Sequence, residues 1–211
     1  MHNQQCQGPF RSACSIVLGS GSPRRKELLS SIGLTFSVCQ AGVEELDQSS
    51  GLDPAELTMQ NAMRKLGALE RKCTGDVILC ADTCVFCKGT ILGKPSSFED
   101  ALGMLRFLDK KWHEVFTSFV LLRTSDGILK GTTVTSRVFL DVINEKVLRA
   151  YCSSEEPYDK AGGYAIQGSG AFLTRQIDGS YTNVVGLPIT ETVELLLELG
   201  AIEPCVSNWK K

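Results

Sequence analysis

Hydrophobic and polar positions follow two different periods along the chain. Short apolar runs at 15–18 and 77–81 are typical of buried strands, and alternation between 131 and 141 predicts a further strand. The apolar positions from 59 to 69 recur instead at helical spacing. Over the whole sequence, these periods predict strands at 15–18, 35–40, 77–81, 114–123 and 131–141, and helices at 23–32, 54–69, 97–108, 144–152 and 188–199.

Local start and stop signals agree with these helices. Ser22 is placed as an N-cap with Pro23 at the first helical position, and Gly33 ends the predicted helix. Two later helices are expected to open on capping boxes formed by Asp53 with Glu56 and by Ser96 with Glu99. Because strands and helices alternate, the sequence predicts an α/β fold.

The length and the pattern together indicate one domain. The 211 residues contain no internal repeat, low-complexity block or linker, so a single domain over residues 15–203 is expected. Residues 1–14 show no period and are predicted to form a loose tail, and residues 204–211 are predicted to form a second one.

Charge and cysteine content narrow the class of protein. Lys and Arg total 22 against 24 Asp and Glu, a formal net charge of −2, which argues against a nucleic-acid-binding surface or a basic membrane anchor. The nine cysteines are odd in number, and residues 1–14 lack the apolar core of a signal peptide. We therefore expect reduced thiols, a cytoplasmic location, and no nucleic-acid or membrane partner.

The first chemical signal lies between a predicted strand and helix, where residues 19–25 read Gly-Ser-Gly-Ser-Pro-Arg-Arg. A helix N-terminus favours anions, so Arg24 and Arg25 should each cost up to about 1 kcal/mol there unless an anion binds. Small residues and two guanidinium groups suit phosphate oxygens. The Gly-Lys-Ser/Thr ending of a P-loop is missing. The alternative is a solvated basic first turn.

Three further signals concern an acid, two lysines and a glycine-dense run. Asp82 directly follows the buried run 77–81, where an acid can hold a metal or accept a proton from water, although it could equally cap a turn. Lys65 lies at the edge of an apolar helix face and Lys94 lies in a Gly-Lys-Pro turn, and both positions also suit solvated lysines. Four glycines within 157–171 suit either close approach to a ligand or a plain hairpin.

Other metal and catalytic arrangements are poorly supported. Cys84 and Cys87 lie three residues apart on a predicted strand, so they face opposite sides and cannot chelate one metal. The chain has only two histidines, His2 and His113, so it offers few ligands for a zinc site and few candidates for a histidine-based triad. His113 is expected to be structural.

Taken together, these motifs resemble the Maf family of nucleotide pyrophosphatases from about residue 17 to 199. The five family motifs occur in order at 20–25, 81–83, 93–95, 159–168 and 179–188. The family's Asp-Glu pair after the second strand is matched by Glu44-Glu45. Ser118 and Glu155 depart from the family pattern, because glycine is usual at both positions.

The resemblance implies a Maf/ITPase-like fold, an elongated mixed sheet flanked by helices with two lobes around a central cleft, and a homodimer. It also implies Mg²⁺- or Mn²⁺-dependent cleavage of a nucleoside triphosphate between the α and β phosphates. Glu45 and Asp82 are the expected metal ligands, with Asp82 as general base and Lys65 also in the catalytic set. The expected substrate contacts are Ser20, Ser22, Arg24, Arg25, Thr83, Lys94, Asp159, Lys160 and Gln167.

Thr83 and Gln167 resemble the family branch that acts on dTTP and UTP. The glutamine amide can pair with both the O4 acceptor and the N3 donor of uracil or thymine. Two alternatives remain: the same chemistry on 7-methyl-GTP or a modified nucleotide, and a nucleotide-binding regulator of cell division without turnover. Because binding alone would not require both Glu45 and Asp82, the two acids argue against the regulator.

Overall fold

The computed structural model describes residues 8–142 and 144–205. The strands in this part of the chain are β1 (Phe10–Ser12), β2 (Ile16–Leu18), β3 (Ser37–Val38), β4 (Val77–Cys87), β5 (Thr90–Leu92), β6 (Trp112–Arg123), β7 (Ile128–Leu140), β8 (Thr174–Asp178) and β9 (Ile202–Pro204). The α-helices are α1 (Pro23–Ser31), α2 (Pro54–Leu69), α3 (Phe98–Leu108), α4 (Glu145–Cys152), α5 (Tyr181–Val185) and α6 (Ile189–Glu198). The predicted α/β class is confirmed.

The main sheet is mixed and has a gap along one edge of β4. Its strand order is β3-β2-β4-β6-β7-β8, with β3, β2 and β4 parallel and the later neighbours antiparallel. β6 pairs with β4 from Val77 to Phe86, so β2 and β5 must share the other edge of β4. β2 covers Val77–Leu79 and β5 covers Val85–Cys87. Residues 80–84 therefore have no strand neighbour on that edge among the described residues.

Three apolar clusters pack against this sheet. The first joins α1 and α6 to β2 and to Val77, Leu79 and Ala81 of β4. The second joins α3 and α4 to the later part of β4, including Val85, and to β6 and β7. In the third, α2 covers Ile78 and its neighbours on the opposite sheet face, because successive strand side chains point to opposite sides. The first and second clusters meet along β4 beside the uncovered stretch 80–84.

The ends of the domain differ from the prediction. Phe10–Ser12 pairs antiparallel with Ile202–Pro204, and Phe10 packs on the first apolar cluster. The prediction of a loose N-terminal tail is therefore wrong for β1, and the C-terminal boundary at 203 falls inside β9. Strands of three residues are too short to show a period in the sequence. Residues 1–7 and 206–211 of the predicted tails lie outside the described residues.

Helix starts follow the predicted signals with two differences: Ser22 is at the N-cap of α1 but its side chain makes no capping hydrogen bond, and the cap of α3 is shifted by one residue. Asp53 accepts a hydrogen bond from the Glu56 backbone N–H at 2.9 Å and so caps α2 as expected. The predicted Ser96–Glu99 capping box is wrong by one residue: Ser97 caps α3 by accepting from the Asp100 N–H. Ser96 instead donates its N–H and its hydroxyl to the Asp100 carboxylate, which fixes the shifted box.

One cysteine pair contradicts the expectation of reduced thiols. Cys39, just after β3, and Cys73, just after α2, form a disulfide 34 residues apart in sequence. Both pack on the third apolar cluster, and the spacing of the two cysteines in the sequence does not reveal that they are close in the fold.

His113 is buried and hydrogen-bonded to the Tyr164 hydroxyl at 2.6 Å, and burial lowers its pKa to about 4. No helix in the described part of the chain has the length and apolar character needed to cross a membrane.

Candidate active site

A cleft of about 1230 Å³ opens beside the uncovered edge of β4. Its walls come from the β2–α1 turn, the segment 40–48, the middle of β4, the turn before α3 and the segment 158–167. The structure brings every residue predicted for the site to this one cleft: Ser20, Ser22, Arg24, Arg25, Glu45, Lys65, Asp82, Thr83, Lys94, Asp159, Lys160 and Gln167.

Asp82 lies inside β4, which corrects the expectation that it ends a strand. Residues 83–87 continue β4 because Thr, Val and Phe favour extended backbone. The parallel neighbour β2 does end at Leu18, level with Leu79, so the cleft still lies beyond the carboxyl end of a parallel strand. Asp82 faces α2 and Thr83 faces α1 across the sheet. Both reach the same cleft because the strand edge between them is uncovered.

Both acids contact one buried lysine, although only Asp82 is itself buried and the Glu45 side chain is 41% exposed. Lys65 Nζ lies 2.6 Å from Asp82 Oδ1 and 2.6 Å from Glu45 Oε1, and it also donates to the Ala81 carbonyl at 3.3 Å. Lys65 is only 8% exposed, so it points into the site and not toward solvent. Asn61 Nδ2 donates to the second oxygen, Asp82 Oδ2, at 3.0 Å. Each Asp82 oxygen therefore has a fixed donor.

Glu45 is ionised by its neighbours. Burial raises the pKa of this carboxyl, but the charge and hydrogen bond of Lys65, together with Lys94 and Arg25, lower it overall. Lys94 Nζ lies 3.7 Å from Glu45 Oε2 and is 57% exposed, so it sits at the mouth of the cleft. The Lys65 ammonium thus lies between the two carboxylates, and Lys94 pairs with Glu45 from the other side.

The two arginines of α1 have different environments. Arg25 is buried, and its Nε, Nη1 and Nη2 donate to the Gly186 carbonyl at 2.7 Å, to Ser20 Oγ at 3.0 Å and to Thr83 Oγ1 at 3.0 Å. Protein oxygens, and not only a bound anion, therefore satisfy Arg25 at the start of α1. Arg24 is partly exposed and bonds to Asp159, with its Nη1 3.1 Å from Oδ2 and its Nη2 donating to the carbonyl at 3.5 Å.

The glycine-dense run holds one wall of the cleft. Gly162 has φ +72°, and its N–H donates to the Gly93 carbonyl at 2.9 Å, next to Lys94. Lys160 donates to the Glu156 carbonyl at 2.7 Å and also contacts the Asp159 carboxylate. Burial raises the pKa of Asp159, but Lys160 and Arg24 lower it overall. The close backbone approach at Gly162 is therefore to the loop of Gly93 and not to a ligand.

Comparison with known proteins decides the family. A family profile described as Maf-like protein matches residues 15–199. The chain belongs to the Maf family. It is 43% identical over 195 residues to a protein of Geotalea uraniireducens (strain Rf4) named dTTP/UTP pyrophosphatase, covering 92% of this chain and all of that protein. A Geobacter sulfurreducens (strain ATCC 51573 / DSM 12127 / PCA) protein of the same name is 45% identical over 188 residues, covering 89% and 97%.

A third relative of this Maf chain comes from another genus. The Hahella chejuensis (strain KCTC 2396) protein named dTTP/UTP pyrophosphatase is 41% identical over 189 residues, covering 88% of this chain and 92% of that protein. Identity at this level extends over the whole domain, so the cleft and its motifs fall within the matched region.

The Maf cleft also contains polar residues that the sequence does not single out, and among them Asn61 contacts the Asp82 carboxylate. Asn61 lies four residues before Lys65 on the face of α2 that packs on the sheet, and it is 2% exposed. The available signal was an amide at helical spacing from a candidate lysine, among apolar positions. That signal alone does not reveal a partner, because Asp82 is 21 residues away in sequence.

Proposed function

We propose that this Maf protein is a nucleoside triphosphate pyrophosphatase that cleaves dTTP and UTP between the α and β phosphates. The observation that carries the proposal is the Asp82–Lys65–Glu45 network, in which Asp82 and Lys65 are buried, in a cleft that Arg24, Arg25 and Lys94 also line. An acid beside open space can activate water, and the cations offset triphosphate charge. The names of the relatives support the choice of dTTP and UTP.

The donor set fits a divalent cation completed by substrate. Glu45 and Asp82 are two carboxylates in one cleft, and the described residues contain no cluster of three or more His, Cys, Asp or Glu that could hold a metal alone. Mg²⁺ is commonly held by one or two carboxylates together with substrate phosphates, so Glu45 and Asp82 would hold Mg²⁺ or Mn²⁺ in this way. Such an ion neutralises phosphate charge and lowers the pKa of a bound water.

The chain's own residues supply the proton transfer and the positioning. Asp82 accepts a proton from a water whose oxygen attacks the α-phosphorus, and the bond from that phosphorus to the bridging oxygen breaks. Pyrophosphate leaves with this bond's electron pair, and the nucleoside monophosphate keeps the water oxygen. Lys65 and Asn61 each donate one hydrogen bond to a different oxygen of Asp82. Each of these carboxylate oxygens keeps a second lone pair that can accept the proton.

A pyrophosphate-release screen tests the proposal. Wild-type protein is assayed with each natural nucleoside triphosphate and 7-methyl-GTP, with Mg²⁺, Mn²⁺ or chelator, beside a folded Asp82→Asn variant. We expect release from dTTP and UTP that requires the divalent ion and the Asp82 carboxylate. Preference for 7-methyl-GTP would move the protein to the alternative branch, and tight binding without release would favour the regulator. The cytoplasmic location and the homodimer both stay predictions. Light scattering tests the second, because it measures the number of chains in the particle.

A further inference from the structure

Asn61 is a buried amide whose polar atoms all point at the candidate site. Its Oδ1 accepts from the Leu46 N–H at 2.7 Å, and its Nδ2 donates to the Leu46 carbonyl at 3.0 Å. The same Nδ2 donates to Asp82 Oδ2 at 3.0 Å. The side chain is therefore fixed in one orientation by three hydrogen bonds, none of them to its own helix.

These three bonds connect two separate parts of the site. Leu46 directly follows Glu45 in a segment without helix or strand, from residue 39 to 47. Asp82 lies on β4, which is rigid because it is paired with β6 along its length. The amide thus relates the backbone of the Glu45 segment to the Asp82 carboxylate. Lys65 makes a second connection, but only through the carboxylate of the partly exposed Glu45 side chain and not through the backbone of its segment.

We propose that Asn61 is a positioning residue for the hydrolysis: it sets the orientation of the Asp82 carboxylate and the distance of the Glu45 segment from it. The expected effect on hydrolysis rests on the proposed function, whereas the expected placement of the Leu46 backbone and the Asp82 carboxylate does not. Misplacing a catalytic group by about 1 Å can cost roughly a hundredfold in rate. Removal of the amide should therefore lower kcat while leaving the phosphate-binding cations in place.

Thr58 provides a matched control on the same helix. It lies three residues before Asn61 and is fully buried, and its hydroxyl bonds the Pro54 and Ala55 carbonyls and Ser118 Oγ, the last at 2.7 Å. Ser118 is paired opposite Asp82 on β6, so this control lies beside Asp82 without a hydrogen bond to its carboxylate. Thr58→Val removes a buried hydroxyl from α2 without touching the Leu46 segment. Loss of stability in both variants, with loss of turnover only at Asn61, separates positioning from general support of the helix.

The first measurement does not depend on activity. Hydrogen exchange of the Leu46 amide reports its bond to Asn61 Oδ1 directly, because exchange requires that this bond opens. In Asn61→Leu this amide should exchange at least about tenfold faster, while Thr58→Val should match wild type within about twofold. Unchanged Leu46 exchange in Asn61→Leu would overturn the proposal, even if the protein hydrolyses no nucleotide.

The second measurement is a double-mutant cycle with Asp82→Asn. Asn61→Leu should lower kcat for UTP by roughly tenfold to a hundredfold with KM changed less than about threefold. In the Asp82→Asn background the same change should have a clearly smaller effect, because the route through the Asp82 carboxylate is gone and only the placement of the Glu45 segment remains. Equal losses in both backgrounds would refute positioning.

A near-isosteric variant covers the case in which Asn61→Leu does not fold. Asn61→Asp keeps an acceptor for the Leu46 N–H but replaces the donor to Asp82 with an oxygen. It should lower kcat within the same range, and wild-type kcat in this variant would contradict the proposal. If wild type itself releases no pyrophosphate, the proposed function fails, while the Leu46 exchange result still decides the role of Asn61.

Discussion

The floor and the rim of the cleft are built differently. At the floor, Lys65, Asp82 and Arg25 are buried, and their charged groups all hydrogen-bond protein atoms. At the rim, the side chains of Arg24 and Lys94 are 24% and 57% exposed, and their ion-pair partners Asp159 and Glu45 are 56% and 41% exposed. Buried charges that lose their partners are costly, whereas exposed pairs contribute little to stability. The floor is thus fixed before substrate binds, and the rim can exchange its ion pairs for phosphate contacts.

The largest effect is expected when the floor loses its central cation. Lys65→Met leaves Asp82 and Glu45 facing each other without the ammonium group that now contacts both at 2.6 Å. We expect a loss of about 3 kcal/mol in the free energy of unfolding, at the low end for a broken buried pair because Glu45 can turn to solvent. Urea unfolding measures it. Lys94→Met is the rim control, with less than about 1 kcal/mol lost. Equal losses would mean that floor and rim do not differ.

The next effect concerns chemistry at the floor. Asp82→Asn keeps the shape of the side chain but removes the proton acceptor, so kcat should fall by roughly a hundredfold or more. Steady-state kinetics with UTP, on protein shown to be folded by its melting temperature, measures it. Near-normal kcat in the folded variant would remove Asp82 from its role as base.

The two adjacent arginines test the comparison most directly. Arg25→Ala removes three hydrogen bonds from a buried guanidinium and should destabilise the free protein by about 2 kcal/mol. Arg24→Ala removes one half-exposed ion pair and should change stability by less than about 1 kcal/mol while raising KM. Melting temperatures without ligand, with KM for UTP, separate the two. If both variants melt like wild type, Arg25 is not part of the floor.

Much of this arrangement could be predicted from the sequence, and the reasons for the rest are physical. The apolar periods predicted β6, β7 and most helices, because each of these elements is long enough to show its period. The motifs placed the charged residues in one site. The gap in the edge of β4 depends on where β2 and β5 pair with it, which is non-local. The partners of Arg25 and Asn61 are equally distant in sequence, so their structural roles were not predictable.

The smallest effect is expected at Gln167, which belongs neither to the floor nor to the rim of the cleft. It lines the cleft half-buried, and among the described residues its amide has no hydrogen-bond partner, unlike the amide of Asn61. Nothing in the described chain therefore fixes which end of the amide faces the nucleobase. A fixed amide would favour uracil over cytosine, because cytosine reverses the donor and acceptor at the O4 and N3 positions.

A free amide can rotate to serve either base, so the UTP preference that Gln167 itself provides should be less than about tenfold, the value of a single neutral hydrogen bond. Gln167→Glu removes the donor and should lower kcat/KM for UTP by no more than that factor, with less change for CTP. Measuring kcat/KM for UTP, dTTP and CTP in both proteins tests this. A hundredfold loss confined to UTP would show that bound substrate fixes the amide, and equal UTP and CTP values in wild type would remove Gln167 from base selection.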